Sequence, residues 1–253
     1  MSQIVSVHSF RGGTGKSNTT ANVAALIACR GKRVGIIDTD IQSPGIHVIF
    51  SLEEKSINRS LNDYLWGRCA IEETAYEINE PKIAANGGKI FLIPSSVKTG
   101  EITKILREGY DVGLLNDGFQ ELIDKLRLDY LLIDTHPGLN EETLLSIAIS
   151  DALLLILRPD HQDFQGTAVT IEVARKLNVP KMFLIINKVL PTLDFAALKE
   201  QVESSYHEHV TAILPLTTEM LELASSGVFT LEYPHHPLTD EFRKVADALL
   251  GLR

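Results

Sequence analysis

One segment limits the fold of this chain more than any other. Gly12-Gly13-Thr14-Gly15-Lys16-Ser17 stands between a β-branched run, Ile4-Val5-Ser6-Val7, and an alanine-rich stretch over residues 19–29. Strand, glycine-rich turn, helix is the context in which the pattern GxxxxGK[ST] binds phosphate. Phe10 occupies the place of the pattern's first glycine; the rest is intact. Glycines let backbone N–H groups turn inward around phosphate oxygens. A helix opening near Ser17 adds its positive end. Lys16 is expected to reach the β- and γ-phosphates, and the Ser17 hydroxyl to hold Mg²⁺. The implied ligand is ATP with magnesium. The bland alternative, a plain glycine-rich turn, has no need of the lysine.

The rest of the 253 residues suits one large α/β domain. Apolar runs at 34–37, 90–93, 130–133, 153–157, 182–186 and 211–214 read as strands. Several lack alternation, as strands buried on both faces do. Helical stretches separate them, which predicts a doubly wound, mostly parallel sheet flanked by helices. Residues 43–88, which include the sole tryptophan, Trp66, read as loops with short helices. Ligands of such sheets bind at the carboxyl ends of the strands.

Acids stand at two of those ends. Asp38 and Asp40 follow the second strand, and Asp134 closes the 130–133 run. An acid after a buried apolar strand is costly without a task or a partner. Asp134 fits an acid that holds Mg²⁺ through water. Asp38 and Asp40 fit an ordered magnesium shell and a positioned attacking water. Helix caps and turn residues remain the alternative for all three. Histidines 8, 136, 161, 235 and 236 show no ligand pair at helical spacing and are expected in surface loops.

These motifs, in this order, resemble the ParA/MinD family of P-loop ATPases, whose loop reads KGGxGK[ST]. Val34 to Gln42 (VGIIDTDIQ), Phe91 to Ser96 (FLIPSS) and Leu132 to Gly138 (LIDTHPG) resemble further blocks of that family. The resemblance runs over nearly the whole chain. It implies ATP bound between two protomers of an ATP-dependent homodimer, with Lys16, Asp40 and Asp38 catalytic and with Ser17, Asp134 and Asp38 around the metal. It places Arg11 through Asn18 at the phosphates, Asn187 on adenine, and Pro215 in a segment against the base. Arg11 replaces the family's signature lysine, which reaches the partner protomer's phosphates. Arginine keeps the charge but is planar and longer; it either contacts phosphate in trans or pairs locally. Family members that position carboxysomes also lack that lysine.

The resemblance further implies an adaptor or activating protein on a cargo, and a surface to ride on. The net charge is −9, so contact with nucleic acid or anionic lipid needs a local basic patch. Candidates for nonspecific DNA are Arg175, Lys176, Lys181, Arg243, Lys244 and Arg253; a solvated helix face is the alternative. The closing stretch reads as a helix packed on the core, without the basic amphipathic extension of membrane-riding members, so membrane anchoring is not expected. No secretory start and no 18-residue apolar window are present. The expected location is cytoplasmic and nucleoid-associated. The competing readings are a metabolic or metallocluster enzyme, for which the CxxC ligands are missing, and a nucleotide-binding scaffold with little hydrolysis.

Overall fold

The computed structural model describes residues 2–252; Arg253 lies outside them. Its strands are β1 (Gln3–His8), β2 (Arg33–Asp38), β3 (Tyr76–Glu77), β4 (Lys89–Ile93), β5 (Tyr130–Asp134), β6 (Ala152–Leu157), β7 (Met182–Val189) and β8 (Val210–Pro215). They form one sheet in the order β3-β4-β2-β5-β1-β6-β7-β8. Every pairing is parallel except the short antiparallel contact of β3 with β4. The helices are α1 (Lys16–Ala28), α2 (Ile46–Ile49), α3 (Leu61–Leu65), α4 (Pro81–Ala84), α5 (Thr99–Glu108), α6 (Gly113–Leu126), α7 (Glu141–Ala148), α8 (His161–Lys176), α9 (Phe195–Tyr206), α10 (Thr218–Leu223), α11 (Phe229–Glu232) and α12 (Pro237–Leu250).

The pleat sorts each strand's side chains between two layers. Val5, Val34, Ile36, Leu132 and Leu154 join α1, α11 and α12 in one core. On the other face, Ile37, Phe91, Leu131 and Ile133 pack with α3 and α6. Leu153, Leu155 and Leu184 pack there with α8 and α9. Apolar residues pointing both ways explain why the central strands read as unbroken runs. Residues 43–88 hold short helices, as expected. They also hold β3, which the sequence reading did not foresee; two residues are too few to show a period.

β1 lies between β5 and β6, where the winding reverses. The crevice at such a reversal is where doubly wound sheets bind ligands. The carboxyl ends of β1, β2 and β5 meet there, with Asp38 of β2 and Asp134 of β5 in register.

Candidate active site

The glycine-rich loop leaves β1 and enters α1 through Gly15, whose φ of 93° is in the left-handed region. A Cβ there would also collide with the Asn187 side chain, so the position admits only glycine. No side chain caps α1. Its first-turn N–H groups and its positive end are therefore left for an anion.

Lys16 is buried, with Nζ 3.6 Å from Asp134 Oδ1. The Ser17 side chain lies close enough to Asp134 to favour its charged form. Thr20 Oγ1 donates to Asp134 Oδ1 at 3.4 Å. Burial raises the Asp134 carboxyl above the usual carboxylate range, although Lys16 and the hydroxyls oppose the shift. Asp38 is raised well above that range by burial and by the charges of Asp134 and Asp40. Its two oxygens accept the N–H groups of Asp40 (3.0 Å) and Gly45 (3.2 Å), so it also shapes its own loop. The turn role that the sequence left as the alternative is present in this side chain.

Asp40 Oδ1 accepts from Ser43 N at 3.1 Å and pairs with His136 Nδ1 at 2.6 Å. Carboxylate oxygens and a serine hydroxyl are hard donors of the kind Mg²⁺ takes. Among the described residues no group of three or more His, Cys, Asp or Glu forms a metal cage. A cation held by Ser17 and Asp134 would complete its shell with phosphate and water, as Mg²⁺ commonly does.

Beside the loop lies a cavity of about 220 Å³, lined by Asn18, Thr19, Asn187, Pro215, Met220 and Phe242, among others. Thr19 Oγ1 is buried without a partner among the described residues. Asn18 Nδ2 donates to Ser225 Oγ at 3.2 Å. Asn187 sits on the cavity wall, yet its amide donates to Thr14 O of the loop at 2.7 Å. Lys188 was missed by the sequence reading. It has φ 57°, and its Nζ donates to Gly13 O at 2.8 Å. Its place next to Asn187 at a strand end was the available signal.

Gly12 and Gly13 are exposed at the loop mouth. Arg11 Nη1 lies 3.4 Å from Asp160 Oδ1 and 3.5 Å from Asp163 Oδ1. The Phe10 ring presses on Gly166, where a Cβ would overlap it. Both departures from the loop pattern thus anchor the loop on α8.

The expectation of surface loops needs correction at His161, the first residue of α8, and at His8. His8 is fully buried, hydrogen-bonded to Thr135 Oγ1 at 2.8 Å, and desolvation together with Lys16 pushes it down to about 3. It is a neutral core residue, because it is the last residue of the central strand.

The described DNA candidates belong to two layers of the sheet. Arg175, Lys176 and Lys181 belong to the α8 and β7 region, whereas Arg243 and Lys244 lie on α12 in the opposite layer. Arg175 pairs with Glu208, Arg243 with Asp240 and Lys244 with Glu241.

An uncapped helix behind a glycine loop, with a lysine, a serine and an acid converging on it, defines a P-loop nucleotide-binding fold. The family described as an AAA domain matches residues 2–183, and the chain belongs to it, in its ParA/MinD group. An uncharacterized ATP-binding protein of Methanocaldococcus jannaschii is 24% identical over 254 residues, covering 100% of this chain and 89% of that protein. The cell division ATPase MinD of Pyrococcus furiosus has the same fold, with TM-score 0.85 at 21% identity and 100% of both chains covered. The septum site-determining protein MinD of Pyrococcus horikoshii OT3, complexed with Mg-ADP, has TM-score 0.83 at 21% identity, covering 100% of this chain and 97% of that one.

Proposed function

We propose that this protein is an ATPase that dimerises on ATP and positions an intracellular cargo, such as a plasmid, a chromosome region or a carboxysome, by riding on nonspecific DNA. The observation that carries the nucleotide reading is the convergence of Lys16, Ser17 and Asp134 under the open end of α1. The name of an ATP-binding relative and the Mg-ADP of a structural neighbour support the same ligand. ATP phosphates sit in the loop, and Ser17 and Asp134 hold Mg²⁺, which neutralises charge on the transferred phosphoryl group. Asp40 orients the attacking water. Turnover is slow and is raised by an adaptor on the cargo. DNA binding follows from the family resemblance. The basic residues add only scattered charge, which a dimer doubles.

A second reading, a scaffold with little hydrolysis, is supported by Arg11, which stands in place of the family's signature lysine and pairs with Asp160 and Asp163 of its own chain. Steady-state turnover separates the two.

DNA retardation with ATP, ADP and no nucleotide, at low and moderate salt, tests the positioning reading. Retardation with ATP alone, weakening as salt rises, is expected. No retardation under any condition, with ATP binding intact, removes the DNA surface from the proposal.

A further inference from the structure

The two loops that leave β2 and β5 touch through one side-chain pair, His136 with Asp40. Their contact of 2.6 Å joins residues 96 apart in sequence. A carboxylate offers only acceptors, so the imidazole proton sits on Nδ1 and donates to Oδ1. Oδ1 also takes the Ser43 N–H at 3.1 Å. Oδ2 has no hydrogen-bond partner among the described residues. The pair is shielded but reachable, with side chains 24% and 14% exposed.

The frame behind His136 is rigid. Its carbonyl accepts from Thr143 Oγ1 at 3.1 Å. Thr135, before it, donates to Val7 O through both N (3.2 Å) and Oγ1 (3.0 Å). Gly138, after it, donates to Ser9 O at 3.3 Å. The main chain that carries His136 is thus fixed to β1 and α7, and its imidazole meets Asp40 from outside Asp40's own loop.

We infer that His136 is a positioning residue for hydrolysis, acting through Asp40; the inference rests on the ATPase reading above. An aspartate's terminal torsion is broad. One main-chain N–H on Oδ1 leaves the carboxylate plane free to swing. A second donor on the same oxygen sets the plane and leaves Oδ2 as the acceptor for the attacking water. Misplacing a catalytic group by about 1 Å costs on the order of 100-fold in rate, so orientation of this carboxylate bears on turnover more than on ATP affinity.

The test is steady-state ATP hydrolysis by the full chain with Mg-ATP, for wild type, His136→Ala, His136→Asn and His136→Gln, with the melting temperature of each. Asparagine places an amide N–H near the Nδ1 position; glutamine places it one bond further out. His136→Ala is expected to lower kcat by about 10- to 100-fold with KM within about 3-fold. His136→Asn should recover most of the loss and His136→Gln little of it. Equal kcat for wild type and His136→Ala overturns the inference. So does a change confined to KM, or failure of Asn to rescue at an unchanged melting temperature. If wild type binds Mg-ATP without turning it over, the ATPase reading itself falls, and the inference with it.

Discussion

Asp38 and Asp134 stand side by side on adjacent parallel strands, each 1% exposed, with one ammonium, that of Lys16, against Asp134. Two buried carboxylates facing one cation are under-compensated, and a buried unpaired charge is expensive. Their raised titration follows directly. A carboxylate whose folded pKa lies above its unfolded value favours folding most at low pH and gives up that contribution as pH rises toward the folded value. Without nucleotide or magnesium, the melting temperature of wild type relative to Asp38→Asn should therefore fall as pH rises above about 4, the unfolded carboxylate value. Thermal melts across that range check it; a constant difference would mean that Asp38 titrates normally. Lys16, Ser17 and Asp134 were legible in the sequence because motif and strand pattern point to the same place. The partners of Asn187 and Arg11 were not legible. Asn187 serves a loop 173 residues earlier, and Arg11 serves acids on α8; no local pattern encodes such pairings.

Elements make the site open. α1 starts on a glycine with no capping side chain, which leaves its first-turn N–H groups open to a phosphate. The loop is then steadied from outside, by Phe10 on Gly166 and by Arg11 on the first turn of α8. Gly166→Ala forces the ring aside, and overpacking of this kind costs about 1–3 kcal/mol. Arg11→Ala removes two long ion pairs from a side chain 39% exposed and should cost less than about 1 kcal/mol. Denaturant unfolding of both variants checks the ordering; a larger loss for Arg11→Ala would make the ion pairs, not the ring, the anchor. Long apolar strands were read correctly because burial on both faces leaves an unbroken run. β7 extends to Val189, whereas the apolar run stops at Ile186 because the next two residues, Asn187 and Lys188, are polar and line the cavity. The short helices of 43–88 lack a readable period because tertiary packing, not propensity, holds such pieces.

The whole molecule places the candidate phosphate and metal residues on one end of the sheet, with α1 and α12 packed together beside the cavity. No helix of the described residues is long and apolar enough to cross a membrane. Dimerisation belongs to this scale: with ATP and magnesium, Asp40→Ala should sediment as a dimer, while the nucleotide-free protein sediments as a monomer. Analytical ultracentrifugation checks this, and a nucleotide-independent mass would remove the ATP gate. The claim beneath all of this is that the β1–α1 loop holds Mg-ATP. Calorimetric titration of ATP into wild type and Lys16→Ala, each with magnesium, tests it most directly. One ATP per chain on wild type, weakened at least about 10- to 100-fold by the loss of a charge-assisted phosphate contact, is the expected result. Equal binding by both proteins, or none by wild type, would contradict it.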